Sequence, residues 1–255
     1  MKFLVIGDSC IDKFIYGLCE RMCPEAPVPV FKPLKETKNY GMSGNVMKNV
    51  KSLGYECDII TNKNNIEKIR YIDNRTHQMI IRVDKNDFVD EDSKYIYNVN
   101  ELEGYDVIII SDYDKGFLTE SDIKNILSVE CTTFLQTNKL LGKWCLTADY
   151  IKLNKYEYEK TKHLIDRLYL DSYPGVDLKL IVTIGEDGCF YKGKKYSIEK
   201  KIQVRDVSGA GDTFLAALSV KYAECNDIDK SIEFAQECSI KVVQKLGINT
   251  IQVEK

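Results

Sequence analysis

The stretch Arg205-Asp206-Val207-Ser208-Gly209-Ala210-Gly211-Asp212-Thr213 is the strongest local constraint on this chain. It follows a strand-like run, Lys201 to Val204, and opens an apolar run at helical spacing, Phe214 to Tyr222. Glycines at a strand-to-helix junction let the backbone turn tightly and approach a ligand closely. The first amides of the helix have no intrahelical partner and stand at the positive end of its dipole. Together they form an anion site. Asp212 lies inside that site, a costly place for a carboxylate without a task. The task that fits is to take a proton from a hydroxyl while the amides stabilise charge on a transferred phosphoryl group. A tight turn with a helix-capping acid is the plainer reading, and the two glycines alone do not separate the two.

The chain has 255 residues, 44% hydrophobic and 29% charged, enough for one large α/β domain with a substantial core. A net charge of -3 argues against a nucleic-acid scaffold, which is normally basic. There are nine cysteines without paired spacing and only two histidines, His77 and His163. That pattern predicts reduced thiols in a cytoplasmic compartment rather than a zinc site. Met1 to Ile6 is too short for a signal peptide or a membrane span and reads as a buried first strand.

The strand Phe3 to Ile6 ends at Gly7-Asp8, and open α/β sheets place ligands just beyond the carboxyl ends of strands. Asp8 and Asp12 can accept hydrogen bonds from sugar hydroxyls or act as turn and capping acids. Gly17 to Pro33, punctuated by four prolines, reads as an exposed edge-type strand. Tyr40-Gly41-Met42-Ser43-Gly44-Asn45 precedes a helix from Val46 to Leu53, closed by Gly54. Cys57 to Thr61 is a strand, and the polar Asn62 to Glu67 is short. Ile69 to Ile72 and Met79 to Val83 read as strands joined by a turn.

Val107 to Ile110 is a continuous apolar run, the mark of a central parallel strand, and it ends in Ser111-Asp112-Tyr113-Asp114-Lys115-Gly116. A helix from Glu120 to Leu127 follows, with Thr119 as N-cap. Thr132 to Leu135 exits at Gln136-Thr137-Asn138-Lys139. Tyr150 to Leu153 leads to Asn154-Lys155-Tyr156-Glu157, by itself an ordinary helix start. Leu180 to Thr183 precedes Gly185, and Cys189 to Tyr191 with Lys195 to Ile198 form a hairpin around Gly193. A last helix runs from Ile228 to Leu246, before Gly247-Ile248-Asn249. Strand–helix alternation with one antiparallel excursion predicts a mostly parallel, doubly wound sheet with helices on both faces.

Asp206-Val207-Ser208-Gly209-Ala210-Gly211-Asp212 resembles the Asp-Thr-x-Gly-Ala-Gly-Asp signature of the ribokinase-like (PfkB) carbohydrate kinases. The N-terminal string is narrower. Gly-Asp-x-x-x-Asp-Lys-Phe-x-Tyr-Gly from Gly7, then Arg21 and Cys23-Pro24-Glu25-Ala26-Pro27-Val28-Pro29-Val30, is similar to the kinase half of the bifunctional heptose-7-phosphate kinase/ADP-heptose synthase family. The resemblance implies a single ribokinase-like domain over residues 1–255. It also implies a small antiparallel β-lid, from about residues 14–38 and 68–84, that covers the sugar and joins a homodimer. The implied reaction is ATP-dependent phosphorylation of a sugar or sugar phosphate, D-glycero-D-manno-heptose 7-phosphate first. Neither nucleic acid nor membrane is an expected partner.

Residue roles follow from the same resemblance. Asp212 is the base, with the amides of Gly209, Ala210 and Gly211 as the anion hole. Asp8, Asp12, Gly41, Asn45 and Asp112 hold the sugar. Arg70 and Arg82 match phosphate or sugar contacts, although lone arginines are more often solvated surface charges. Thr183, Gly185, Ser208, Gly247 and Asn249 fall on the ATP side. Asn154 and Glu157 organise Mg²⁺ through water, in keeping with that ion's preference for oxygen ligands and retained waters.

Three features depart from the pattern. Met42 replaces the family's second glycine and is expected to fill space next to the sugar. Gln136-Thr137-Asn138-Lys139 replaces Asp-Pro-Lys-Gly, which removes an acid and a rigid turn. Residues 62–67 replace a longer, helix-containing segment. These departures keep a catalytically weakened sugar- or nucleotide-binding relative, or a kinase of another sugar or nucleoside, as alternatives. An esterase built on Gly7-Asp8-Ser9 would need a late histidine base, and no histidine follows His163.

Overall fold

The runs Phe3 to Ile6 and Val107 to Ile110 are apolar at every position because both faces of their strands are covered. The computed structural model describes residues 1–94, 98–170, 175, 177–198, 203–245, 247 and 249–251. In it β1 (Lys2–Gly7) leads into two long strands, β2 (Ser9–Met22) and β3 (Pro29–Met42). Next come α1 (Ser43–Ser52), β4 (Glu56–Ile60), β5 (Ile66–Asp73) and β6 (Met79–Lys85). The chain then alternates through β7 (Val107–Asp112), α2 (Glu120–Ile126), β8 (Thr132–Thr137), β9 (Tyr150–Asn154), α3 (Lys155–Leu170) and β10 (Leu180–Thr183). A hairpin, β11 (Cys189–Tyr191) and β12 (Lys194–Tyr196), precedes α4 (Ala210–Cys225) and α5 (Ile228–Val243).

Eight strands form the main sheet in the order β12-β11-β10-β9-β8-β7-β1-β4, parallel except for the β10–β11–β12 meander. Alternate residues serve different layers. Ile108, Ile110 and Leu135 join one core with Ile123 and Ile126 of α2. Val107, Ile109 and Phe134 join the other with Val46 and Val50 of α1 and Leu215 and Leu218 of α4. Each such side chain contributes ~1.5–3 kcal/mol on full burial. α4 is buried continuously from Asp212 to Val220, packed on α1 and α5, so it needs no polar face. The chain leaves β1 to place β4 on one side and later places β7 on the other. That reversal opens a crevice beyond the carboxyl ends of β1 and β7.

A second, smaller sheet has the order β3-β2-β5-β6. Its hairpins β2–β3 and β5–β6 are antiparallel, and β2 and β5 join them through a parallel pairing. The expected mostly parallel, doubly wound sheet with a small extra sheet is observed, but the extra sheet, expected to be antiparallel, is mixed, because its two hairpins are joined edge to edge by the parallel pairing of β2 with β5.

Several boundaries differ from expectation. The edge strand read from Gly17 to Pro33 is two strands, broken at residues 23–28 where Pro24 and Pro27 interrupt the ladder. The first of them begins at Ser9, so Asp12 lies within a strand. Gln203 and Val204 are not strand, and residues 201–202 lie outside the described residues. α1 starts three residues earlier than its apolar spacing suggests, and α4 starts at Ala210, inside the glycine stretch. α5 ends at Val243, and Leu246 lies outside the described residues.

Candidate active site

Gly209 caps α4 in the left-handed conformation, with φ at 80°, which glycine adopts without strain. Ala210, Gly211 and Asp212 form the first turn, whose amides lack intrahelical acceptors; that of Ala210 donates instead to the Val207 carbonyl at 3.2 Å. Asp212 is 3% exposed. Its Oδ2 accepts a hydrogen bond from Asn45 Nδ2 at 3.0 Å, and its Oδ1 one from the Tyr113 hydroxyl at 2.5 Å. Burial pushes the Asp212 carboxyl up to about 6, while Tyr113, Asn45 and the charge of Lys152 pull the other way. A carboxyl poised there can take a proton near neutral pH. The Tyr113 phenol is raised well above its ordinary value by burial and by the neighbouring Asp212 charge, so it serves as a donor.

The acids expected on the sugar side are all buried, but they are held differently. Asp12 pairs with the Arg70 guanidinium, which also lies 5.1 Å over the Phe14 ring. Gly41 leaves room for that carboxylate, since a Cβ there would stand 1.9 Å from Asp12 Oδ2. Asp8 accepts the main-chain amides of Tyr113 at 2.7 Å and Phe117 at 3.2 Å, and so shapes the turn after β7. Burial, then the charge of Asp112, raise its carboxyl above the ordinary range. Asp112 accepts the Thr137 hydroxyl at 2.5 Å and the Lys139 ammonium at 2.9 Å. Residues Thr137 and Lys139 of the altered β8 exit thus enclose it. Arg82, on β6, is half exposed and held by Asp84 at 2.6 and 2.7 Å.

Met42 does not fill the polar site. Its side chain belongs to the apolar core with Cys10 and Ile66, 3% exposed. The conformational demand of the glycine position persists, because Met42 sits at φ 57° and ψ -134°. A side chain in that region is strained.

A cavity of about 730 Å³ extends from Tyr113 along the carboxyl ends of the strands. Lys68, Gln136, Lys152, Asn154 and Glu157 line it, and Thr183, Gly185 and Gly211 border its far side. Thr183, Gly185, Ala210 and Gly211 also line an adjoining cavity of about 120 Å³, with Phe214 and Gln236. Asn154 and Glu157 bond reciprocally: Asn154 N and Nδ2 donate to Glu157 at 2.7 and 2.6 Å, and Glu157 N donates to Asn154 Oδ1 at 2.9 Å. This is the capping arrangement of a helix start, and it leaves a carboxylate beside the cavity with further lone pairs. Among the described residues no group of three His, Cys, Asp or Glu is placed to hold a metal directly.

Ser208 is fixed through its amide, which donates to Asp206 Oδ1 at 2.8 Å. Asp206 Oδ2 accepts the amide of Gly247 at 3.1 Å, so one acid ties the glycine stretch to the segment after α5. Asn249 is placed elsewhere than expected. It lines a cavity of about 390 Å³ with Asn45 and Lys48, and close by Ile251 N donates to Asn49 Oδ1 of α1 at 3.1 Å.

Tyr113, Lys152 and Asp206 are the site-forming residues that sequence reasoning left without a role. Asp206 opens the signature string. Lys152 carried a signal, a lysine inside the apolar run Ile151 to Leu153 at the end of a strand.

A model of the pfkB family of carbohydrate kinases matches residues 57–255. Bifunctional protein HldE of Campylobacter curvus is 29% identical, aligned over 98% of this chain and 63% of its own length. The HldE of Nitratiruptor sp. is 30% identical, over 100% of this chain and 64% of its own length. The chain thus spans a little under two thirds of these curated relatives. An Arabidopsis thaliana ribokinase, solved in complex with ribose and ATP, superposes with a TM-score of 0.67 at 14% identity, covering 98% of this chain and 95% of that one. That likeness is one of fold. With more than half of its length matched, this chain belongs to the pfkB family of carbohydrate kinases.

Proposed function

We propose that this sugar kinase transfers the terminal phosphoryl group of ATP to a hydroxyl of a sugar phosphate. The observation that carries this reading is Asp212, a buried carboxylate in the first turn of α4, held at both oxygens by Asn45 and Tyr113. Asp212 accepts the hydroxyl proton as the amides of Gly209, Ala210 and Gly211 stabilise the transferring group. Asp12, Gly41 and Asn45 line the acceptor side, with Asp8, Asp112, Arg70 and Arg82 supporting it. Thr183, Gly185 and Ser208 take the nucleotide phosphates. Gly247 closes the nucleotide side through Asp206. Release of ADP that requires both ATP and a sugar phosphate tests the reading. Turnover by Asp212→Asn equal to wild type would sink it.

D-glycero-D-manno-heptose 7-phosphate is the first choice of acceptor. Its support is the string from Cys23 to Val30 together with full-length alignment to proteins named HldE. A panel of hexose, pentose and heptose phosphates identifies the acceptor by kcat/KM. Mg²⁺ accompanies ATP in this reading, and the Glu157 carboxylate with Asn154 suits a hydrated ion held through its waters. When bound, the ion supplies charge neutralisation on the phosphates.

The small sheet is the proposed lid over the acceptor, and excluding water there suppresses hydrolysis of ATP. A homodimer through this sheet is supported by its exposed apolar side chains, Met79, Ile81 and Val83 on the edge strand β6. A monodisperse monomer at micromolar concentration in sedimentation would refute it. Nine unpaired cysteines support a cytoplasmic location. Among the described residues no helix is long and apolar enough to cross a membrane.

A further inference from the structure

Gln136 and Lys152 are register partners on the neighbouring strands β8 and β9, near the carboxyl ends of both. Their side chains project to the sheet face that α4 covers, the face of Phe134 rather than Leu135. Lys152 is 3% exposed. Its ammonium donates to Gln136 Oε1 at 3.0 Å, and among the described residues no carboxylate lies within ion-pairing distance of it. A Cβ built on Gly211 would stand 3.1 Å from Lys152 Nζ, so the ammonium rests against the backbone of the anion site. The same ammonium borders the 730 Å³ cavity beside Asn154 and Glu157.

This is an arrangement that an anion completes. A buried cation normally has a counter-charge close by. Here the nearest structural neighbours are a neutral amide and the positive end of α4, which repel or merely solvate it. An arriving phosphate supplies the missing counter-charge. Gln136 matters because it holds the ammonium without neutralising it. An acid at 136 would form an ion pair with Lys152 and take up the charge before any substrate did.

We propose that the Lys152 ammonium, presented by Gln136, is the side-chain cation that contacts the phosphoryl group in transfer. The inference rests on the kinase reading above. As the new O–P bond forms to the acceptor hydroxyl, the bridging O–P bond to the departing nucleoside diphosphate breaks. The hydroxyl proton passes to Asp212, and Lys152 keeps its own proton throughout. The replacement of the family's acid by Gln136 is then part of a working site built around a lysine.

The test compares binding of ADP with that of the non-hydrolysable imido analogue of ATP, both with Mg²⁺, by calorimetry. Wild type should prefer the triphosphate. Lys152→Met should lose that preference by at least ~10-fold, as expected for a charge-assisted hydrogen bond, while binding ADP nearly as before. Its kcat should fall by ~100-fold or more. Gln136→Glu provides a second arm that keeps the lysine and should weaken the triphosphate preference in the same direction. If both variants keep the wild-type preference, Lys152 does not contact the terminal phosphoryl group, although the kinase reading stands. If wild type binds neither nucleotide, the kinase reading fails and this proposal with it.

Discussion

The side-chain amide of Asn45 donates to the carboxylate of Asp212 at 3.0 Å, joining the first turns of two helices 167 residues apart in sequence. In the proposed reading α1 carries the acceptor side and α4 the anion site, and this bond then sets where an acceptor hydroxyl can stand relative to the base. Tyr113 completes the arrangement from the turn after β7.

Removing the base should reduce turnover far more than binding. Asp212→Asn is expected to lower kcat by ~10²–10⁴, the range for a positioned general base, with KM for ATP little changed. A coupled assay of ADP release measures both.

Activity should fall on acidification with an apparent pKa near the value of about 6 that burial gives Asp212. Asn45 and Tyr113 donate to the charged form and hold that value down. Asn45→Ala and Tyr113→Phe should therefore move the acid limb of the kcat profile to higher pH. A shift to lower pH would contradict this account of the base.

The same group links stability to pH. Its folded value of about 6 lies above the ordinary 3.8, so the native state holds the proton more tightly than the unfolded chain. The stabilising contribution is fully present below about pH 4 and is lost as pH rises through 6. The stability of Asp212→Asn relative to wild type should accordingly increase between pH 4 and pH 7, by ~1–3 kcal/mol. Urea unfolding at the two pH values measures the change.

Gly41→Ala places a methyl group 1.9 Å from Asp12 Oδ2 and 2.7 Å from Cys10 Sγ. Asp12 must move, and with it the Arg70 pair. KM for the sugar substrate should rise ~10-fold or more, a loss of about 1.4 kcal/mol of binding, while ADP binding by calorimetry stays at the wild-type level.

Asp206→Ala removes the acceptor shared by the amides of Ser208 and Gly247. Two donors lose a charged partner, and a loss of ~1–3 kcal/mol in stability is expected, with weaker nucleotide binding. Denaturant titration and calorimetry on one preparation separate the two effects.

The chain's own order of residues determined the parts whose physics is local. A glycine stretch ahead of an apolar run at helical spacing must turn into a helix, so the turn, the helix start and the acid in its first turn were legible. Continuous apolar runs likewise marked β7 and its neighbours as strands buried on both faces. Only the tertiary structure decided the rest. Asn45, Tyr113 and Asp212 meet because β7 lies beside β1 while α1 and α4 pack together, a sheet order that no local periodicity encodes. Met42 turned into the core rather than the site, a matter of side-chain direction from a strained backbone. The charge of Lys152 acquires meaning only once Gln136 on the adjacent strand and Gly211 on α4 close around it, because burial, unlike composition, depends on neighbours far apart in the chain.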